Sequence, residues 1–489
     1  NNQVPPVGKF LDPFNGFWQN AETSMPDLAT DIMLPGVKEN VQIVFDSLLI
    51  PHIFAENDED LYFAQGYIHA YHRLWQMEFQ IYFAEGRVSE LIGERALKLD
   101  QSNRRKGMKF GAKRFLERSI QDPEIRNYLE SYCAGINAYI NSLSYSDLPI
   151  EYKLLNYSPE PWTPLKSALL LKTMSNTLNI GNQDLKNTNA LAILGPEMFN
   201  FLYPDDLLKS DNIVDNPNNW DFEPVQVEQD SGLIKSLIQM PAKDPQPEEN
   251  IGSNNWAVSG SKTKSGYPML ASDPHLELNL PSIWYTAHLH SPNVNSMGAT
   301  LLGAPTVIIG FNDSIAWAET NAQRDLVDWY QIEFQDDTRN KYKLDGEWVD
   351  VEKVIEEIMI KGGETFYDTV LYTHWGPVRF DRNFEPGNER KDYAFRWISH
   401  DASNEFNTLV KLNKASNFDE YRDALRDWSA PAQNFAFASA SNDIAITVQG
   451  KYPVRPQGVG KFMLDGTETK NGWLDYIPFE HNVFIKNPT

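Results

Sequence analysis

The hydrophobic pattern of this chain changes from helical to strand-like across one polar, proline-containing segment. Before that segment, apolar residues recur at spacings of three and four, which predicts amphipathic helices over 58–92, 107–120, 123–143 and 164–178. After it, short runs rich in β-branched and aromatic residues are bounded by Gly, Pro and Asn, which predicts strands. Helices and strands that are segregated along the chain in this way are typical of the α+β class.

The polar segment between the two halves fixes the predicted domain organisation. It contains DNPNN at 215–219 and three prolines between 241 and 247, a composition that favours a loop. A loop of this length in a compact chain is usually functional or disordered. We therefore predict a helical segment over 1–211, a linker over 212–252 and a strand-rich segment over 253–489.

Composition narrows the possible partners of the chain. Acidic residues outnumber basic ones, 67 against 43, and the formal net charge of −24 argues against nucleic-acid binding, which needs basic patches. No run approaches 18 apolar residues, so we predict no membrane-spanning helix. The single cysteine, Cys133, excludes a disulfide framework and is interpreted as a buried structural residue.

Most standard catalytic patterns are missing from the sequence. His288 and His290 would share one face of a strand, but no third zinc ligand follows. The sequence has neither a phosphate-binding loop, a dinucleotide fingerprint nor a Gly-x-Ser-x-Gly elbow, while a carboxylate-pair glycosidase stays open on composition alone. The stretch GSNNWAVSGSKT at 252–263 directly follows the linker. Taken alone, it is most simply interpreted as a Gly-Ser turn that enters a hairpin.

That stretch resembles the start of the catalytic β-subunit of penicillin acylases and of the related acyl-homoserine-lactone and cephalosporin acylases. The resemblance recurs in order along most of the chain. The matching blocks are IPHI at 50–53, QGYIHA at 65–70, RLWQME at 73–78, GRVSELIG at 86–93, GFN at 310–312, IAWAETN at 315–321, AQNF at 432–435 and PVR at 453–455. On these blocks the chain is identified as a member of the penicillin acylase family.

The resemblance implies the four-layer αββα sandwich of N-terminal-nucleophile hydrolases, with two antiparallel sheets packed face to face between helices. Residues before 212 would form an α-subunit, 212–252 a removed spacer, and 253–489 a β-subunit that is apparently incomplete at its C-terminus. The implied activity is removal of an acyl group from an amine, such as a β-lactam side chain. An acyl-homoserine-lactone acylase that quenches quorum sensing is the first alternative, and a non-catalytic binding protein on the same fold is the second.

The resemblance also assigns catalytic roles. Ser253 is the expected nucleophile once autoproteolysis frees its α-amine, a group whose pKa in peptides is about 7.7–8.0 and which acts as the base. The backbone N–H of Asn321 and the side-chain amide of Asn434 are the expected oxyanion donors. His275 would hold the site beside the nucleophile, and Arg455 would orient Asn434.

Four apolar residues are expected to bind the acyl group, namely Met174, Leu178, Leu276 and Ile309. Penicillin G acylase carries an arginine and phenylalanines at matching positions, whereas this sequence has Thr177 and aliphatic residues. An aliphatic pocket favours an alkyl acyl chain over phenylacetyl.

The family often carries structural calcium, an ion that prefers oxygen ligands. The matching positions are Asp184, Asp325, the carbonyl of Val327, and Asp328. No organic cofactor is expected. The expected partners are a small N-acyl amide and the other chain of a self-derived α/β heterodimer. The expected location is the periplasm or the exterior, with the signal peptide already removed.

Overall fold

A computed structural model describes residues 7–22, 30–179, 181, 183–204, 233–234, 238, 252–276, 278–384, 392–455 and 460–488. Helices dominate the described residues before 205 and strands dominate those after 252, which confirms the α+β class. Most of the predicted linker, 212–252, lies outside the described residues. No helix in the described ranges is both long and apolar enough to cross a membrane.

The four helices predicted from periodicity are present, together with shorter ones. The α-helices of the described ranges are α1 (Val7–Phe10), α2 (Trp18–Glu22), α3 (Asp58–Glu85), α4 (Ser89–Ile92), α5 (Leu97–Arg105), α6 (Met108–Ser119), α7 (Pro123–Ser142), α8 (Ile150–Leu155), α9 (Pro164–Asn179), α10 (Gln183–Leu202), α11 (Glu405–Lys414) and α12 (Phe418–Ala424).

Helix α3 begins and ends where local chemistry requires. Its N-cap, Asn57, accepts a hydrogen bond from the backbone N–H of Asp60 at 2.8 Å. The helix ends at Gly86, whose φ of 65° is left-handed and suits glycine. The prediction of one helix over 58–92 was therefore too long, because periodicity does not register this C-cap. Helix α7 packs closely on α3, since a Cβ added at Gly135 would lie 1.8 Å from the carbonyl oxygen of Phe63.

Nine strands form the largest sheet. In spatial order they are β1 (Val41–Phe45), β2 (Pro51–Ala55), β5 (Trp284–His290), β6 (Asn295–Leu301), β7 (Ile309–Asn312), β8 (Ile315–Asn321), β16 (Gln433–Ser439), β17 (Ile444–Gln449) and β21 (Phe484–Lys486). Neighbours pair antiparallel except β2 and β5, which are parallel. The expectation of purely antiparallel sheets was wrong here, because the long helical excursion between β2 and β5 brings the chain back in the same direction.

A six-stranded sheet lies beside it, and the remaining strands of the described ranges form three antiparallel pairs. The six are β12 (Glu352–Ile358), β13 (Phe366–Thr373), β14 (Gly376–Phe380), β15 (Asp392–Trp397), β9 (Val327–Ile332) and β19 (Leu464–Asp465), with β19 parallel to β9. The pairs are β3 (Ser253–Val258) with β4 (Met269–Pro274), β10 (Lys341–Leu344) with β11 (Glu347–Asp350), and β18 (Pro453–Val454) with β20 (Asp475–Tyr476).

One hydrophobic core joins the two halves of the chain. It combines buried residues of α3 and α7, such as Leu61 and Ile136, with strand residues such as Leu289, Trp317 and Phe435. The parallel pairing of β2 with β5 also crosses from one half to the other. The two halves therefore share their main core across the Gly252–Ser253 junction, and they do not form independent domains.

Candidate active site

The peptide bond between Gly252 and Ser253 lies at the start of β3. The hydroxyl of Ser253 donates to the carbonyl oxygen of Gly252 at 2.6 Å. The backbone N–H of His275 donates to the same oxygen at 2.8 Å. Ser253 pairs with Pro274 across the β3–β4 hairpin, which brings the following residue, His275, to the junction. Two donors thus polarise the carbonyl that the sequence predicts to be cut.

The side chain of His275 lies away from this junction. Its Nε2 is 2.8 Å from a carboxylate oxygen of Asp273, and 43% of the side chain is exposed. The backbone N–H of His275, which was expected to hold the site, is therefore at the junction, whereas its ring takes part in a surface pair.

The two predicted oxyanion residues lie next to each other on adjacent strands. The register pairs Asn434 of β16 with Thr320 of β8. Among the described residues, the side-chain amide of Asn434 makes only long hydrogen bonds, 3.3 Å to the Thr320 hydroxyl and 3.4 Å to the carbonyl oxygen of Asn321. The backbone carbonyl of Asn434 accepts from the Asn255 amide at 2.9 Å, which ties β16 to the nucleophile strand. Because its present bonds are weak, the Asn434 amide can turn to a stronger acceptor.

A cavity lies beside Ser253. The four predicted acyl-binding residues, Met174, Leu178, Leu276 and Ile309, all line it together with Ser253 and Asn321. The side-chain amide of Asn321 donates to the carbonyl oxygen of Leu178 at 3.0 Å, so α9 and β8 are fastened at the mouth of the cavity. The structure therefore brings together residues that are more than one hundred positions apart in the sequence.

Sequence reasoning missed several residues of this cavity. Trp284 and Trp428 add aromatic surface, while Glu319, Glu405 and Gln433 add buried polar groups to a wall that is mainly apolar. Burial raises the pKa of Glu319 to about 8. A carboxylate inside the apolar block IAWAETN was the available signal, since strand alternation places Glu319 on the same face as the buried Trp317.

Arg455 differs from its expected role. Its guanidinium lies 2.6 Å from a carboxylate oxygen of Asp328 and 3.5 Å from one of Asp325, and it donates to the carbonyl oxygen of Asp325 at 3.0 Å. None of its hydrogen bonds among the described residues goes to Asn434. The prediction that Arg455 orients Asn434 was wrong in this structure, because the nearby acidic cluster binds the guanidinium instead.

The predicted calcium ligands form that acidic cluster. One carboxylate oxygen of Asp184 and one of Asp328 are buried without a hydrogen-bond partner among the described residues. Burial, together with the charges of Asp325 and Asp328, raises the pKa of Asp184 well above its usual range. Three carboxylates thus share one guanidinium, a charge deficit that fits a divalent cation. In the described ranges, however, no three His, Cys, Asp or Glu side chains already stand at metal-ligand geometry.

Comparison with known proteins gives the family context of this site. The penicillin amidase family model matches residues 40–489. The chain is 29% identical over 96% of its length to the penicillin acylase 2 proenzyme of Pseudomonas sp. strain SE83, and 29% identical over 96% to an acyl-homoserine lactone acylase of Pseudomonas syringae pv. tomato. Among solved structures, the thermostable penicillin G acylase of Alcaligenes faecalis has 23% identity and a TM-score of 0.42, covering 48% of this chain and 42% of that one.

The two curated relatives are longer than the match. The aligned part accounts for 59% of the proenzyme and 56% of the lactone acylase. The chain thus spans less than three fifths of the length of each relative.

Proposed function

The chain belongs to the penicillin amidase family, and from that premise we propose that it hydrolyses an N-acyl amide with Ser253 as the nucleophile, after the Gly252–Ser253 bond is cut. The observation that carries the proposal is the shared position of three features. The Gly252 carbonyl accepts two hydrogen bonds, the Ser253 hydroxyl is one of the two donors, and the same serine lines the mainly apolar cavity.

Processing is the first step of the proposed chemistry. The Ser253 oxygen adds to the Gly252 carbonyl carbon while the His275 N–H stabilises the oxygen that becomes negative. The peptide C–N bond between Gly252 and Ser253 then breaks, and the nitrogen of Ser253 takes the proton that the hydroxyl has lost. The product is an ester that joins the Gly252 carbonyl to the serine oxygen. Water hydrolyses that ester, which leaves a carboxylate at Gly252 and a free α-amine at Ser253.

Hydrolysis of the substrate reuses the same atoms. The freed α-amine removes the proton from the Ser253 hydroxyl, which attacks the substrate carbonyl. The Asn434 amide and the Asn321 backbone N–H are proposed to stabilise the oxyanion, each donor being worth about 3 kcal/mol. The leaving amine takes this proton from the α-amine, and the acyl group stays on the serine as an ester. Water then hydrolyses the ester and releases the acyl group as an acid.

The wall of the cavity supports an alkyl acyl group. Aliphatic side chains form most of it, with Leu171, Leu301 and Ile308 added to the four predicted residues. We expect medium-chain acyl amides to be hydrolysed faster than phenylacetyl amides, and a strong preference for phenylacetyl would contradict this assignment. The similarity to a lactone acylase makes acyl-homoserine lactones the second candidate substrates.

Two wider proposals accompany the activity. The shared core and the β2–β5 pairing support a processed α/β heterodimer that stays associated without a covalent link. Location in the periplasm or outside the cell rests on the family resemblance alone. Cell fractionation of the natural host, with an antibody against the chain, would test the second proposal.

Mass spectrometry of the purified protein tests the processing step. We expect a chain that begins at Ser253 in the wild type and an uncut junction in Ser253→Ala. Ser261→Ala, which changes an exposed serine in the following turn, is the matched control and should be cut normally. Cleavage of the junction in Ser253→Ala would refute the proposed nucleophile.

An acyl-amide panel scored for amine release tests the activity and separates it from the binding-protein alternative. The proposed enzyme releases amine in proportion to the amount of processed chain. A protein that binds these amides without releasing amine, and keeps an intact junction, would favour the binding protein.

A further inference from the structure

Glu319 lies inside the apolar cavity that begins at Ser253. Only 7% of the residue is exposed, and it lines the cavity together with leucines, isoleucines and two tryptophans. It precedes Asn321 by two residues on β8, so both side chains share one face and lie about 6–7 Å apart along the strand. A group bound at Glu319 would therefore be a few carbon atoms away from a carbonyl held at Asn321.

Two residues that line this cavity each have a buried side-chain oxygen without a hydrogen-bond partner among the described residues. One oxygen is Oε1 of Glu319 and the other is Oε1 of Gln433. The register pairs Gln433 with Asn321 on the neighbouring strand, so Gln433 and Glu319 are diagonal neighbours on the same face. An unpartnered buried polar group is unfavourable, so a ligand group that bonds to both residues would bind more tightly than one that bonds to neither.

A third polar residue of the same cavity shows the contrast. Glu405 is also buried, but its oxygens accept from the Ser403 hydroxyl at 2.8 Å and from the backbone N–H groups of Ser429 and Ala430 at 3.3 and 3.2 Å. Its hydrogen-bonding capacity is used within the protein. Of these three cavity residues, Glu319 and Gln433 are thus the two with unmet capacity among the described contacts.

The charge of Glu319 limits what it can bind. Burial raises its pKa to about 8, so at neutral pH the side chain is mainly a carboxylic acid with one O–H donor. Gln433 Oε1 is an acceptor. A hydroxyl group is the small substituent that satisfies both, because it accepts from Glu319 and donates to Gln433.

We propose that Glu319 and Gln433 form a polar end of the acyl pocket that hydrogen-bonds a hydroxyl group on the acyl chain, so that the preferred substrate is a hydroxyacyl amide. This inference rests on the proposed function, since it takes the cavity as the site of the acyl group. An unsubstituted alkyl chain leaves both oxygens unpaired and displaces any water that serves them, so it binds less well.

An aminoacyl group is the main competing occupant. Its ammonium would pair with an ionised Glu319, but burial disfavours the ionised form. An ammonium also has no acceptor site for the O–H of a protonated Glu319. The hydroxyl therefore fits the observed groups better.

The test compares acyl amides of one reporter amine with equal chain length. One is unsubstituted, a set carries a hydroxyl on each carbon from the third to the sixth in turn, and one carries an amine at the best position. With processed wild-type protein, we expect kcat/KM for the best hydroxyacyl amide to exceed that of the unsubstituted amide by at least about tenfold. Glu319→Leu should abolish this preference, and Glu319→Gln should keep part of it.

Two further measurements keep the test decisive. Ile308→Val changes the volume of the same cavity without touching a polar group, so the ratio between hydroxylated and unsubstituted substrates should not change. Cleavage at Gly252–Ser253, followed by mass spectrometry, reports whether each variant folds. Glu319→Gln is nearly isosteric with the wild type and carries the test if Glu319→Leu does not fold.

The outcomes separate the two proposals. If no amide is hydrolysed by processed wild-type protein, the proposed function fails. If amides are hydrolysed but hydroxylated and unsubstituted chains react equally, or if the aminoacyl amide is preferred, the hydroxyl-binding role fails and the acylase activity stands. A preference that survives in Glu319→Leu would also overturn it, and so would an undiminished preference in Glu319→Gln if Glu319→Leu does not fold.

Discussion

Two buried regions of this chain hold carboxylates in opposite ways. Between α5 and the six-stranded sheet, the fully buried Arg105 binds both oxygens of Asp368 at 2.7 and 2.6 Å and lies 3.1 Å from Asp381, which a second arginine, Arg339, also contacts. In the acyl cavity, Glu319 is almost as deeply buried and has no cation beside it among the described residues. The first carboxylates have their charge matched by arginines, whereas the second holds a proton at neutral pH.

The difference shows that burial alone does not decide the charge of a carboxylate. Where arginines match the carboxylates, the site is closed and its role is to join α5 to the sheet. Where a buried carboxylate has no cation beside it, the group either holds a proton or keeps an oxygen without a partner. A ligand can then bind at that site. The cluster of Asp184, Asp325 and Asp328 lies between these two cases, because in the described part of the chain a single arginine faces three carboxylates.

The largest expected effect is on the matched site. Arg105→Met leaves Asp368 and Asp381 buried without their main partner, and it should reduce the free energy of unfolding by about 3–5 kcal/mol. Urea unfolding followed by tryptophan fluorescence measures the loss. Arg105→Lys keeps the charge but cannot bind Asp368 through two donors, so a smaller loss is expected. An unchanged stability in Arg105→Met would contradict the conclusion that Arg105 stabilises the two buried carboxylates.

Glu319 should make stability depend on pH in the opposite sense to an ion-paired acid. Its pKa is raised from 4.5 to about 8, so the folded protein holds a proton that the unfolded chain loses. The free energy of unfolding should therefore fall as the pH rises from about 4.5 to about 8 and then level off.

The matching variant is Glu319→Gln, which removes this titration. Its stability relative to the wild type should increase with pH over that range and then level off, because only the wild type loses stability as Glu319 gives up its proton. Urea titrations at a series of pH values give the difference. Parallel pH profiles for the two proteins would mean that Glu319 has a cation partner after all.

The acidic cluster should respond to calcium. Calcium at a hundredfold excess over its Kd should stabilise the folded protein by about 2.7 kcal/mol, and a chelator should reverse the gain in Tm. Asp184→Asn should reduce the response, because it removes one of the three carboxylates. Asp443→Asn, which changes a surface partner of Lys486, is the control and should respond like the wild type. If calcium stabilised both variants equally, the ion would bind outside the cluster of Asp184, Asp325 and Asp328.

The smallest effect is expected at the surface. Arg426 lies 2.6 Å from Glu480, but about half of each side chain or more is exposed. Water and salt screen such a pair, so Glu480→Gln should leave the free energy of unfolding almost unchanged. If Glu480→Gln lost as much stability as Arg105→Met, the contribution of an ion pair to the free energy of unfolding would depend on the distance between its charged atoms and not on their burial.

Much of the fold could be predicted from local patterns. The periodicity of α7 and α9 predicted both helices to within one residue at each end, because an amphipathic helix repeats its apolar face every three or four positions. The long helix from Asp58 was predicted but continued too far past Gly86. The two parallel strand pairs could not be predicted, since pairing direction depends on how distant segments meet.

The site divides in the same way. The ordered sequence blocks placed Ser253 at the head of a strand, and the family resemblance was sufficient to select Met174, Leu178, Leu276 and Ile309, all of which line the cavity. The sequence blocks and the resemblance could not show that the ring of His275 would lie at the surface. Side-chain direction depends on competing partners, here Asp273.

The sequence by itself therefore determined the class of the fold, the position of the expected nucleophile and the aliphatic character of the pocket, because these follow from periodicity and from residue types in fixed blocks. Only the tertiary structure decided the partners of the charged groups. It directed Arg455 to Asp328 instead of Asn434, and it left Glu319 in the cavity without a cation among the described residues. The physical reason is that electrostatic energies depend on burial and on the distances between charged residues that are far apart in the chain. A local sequence pattern determines neither of these quantities.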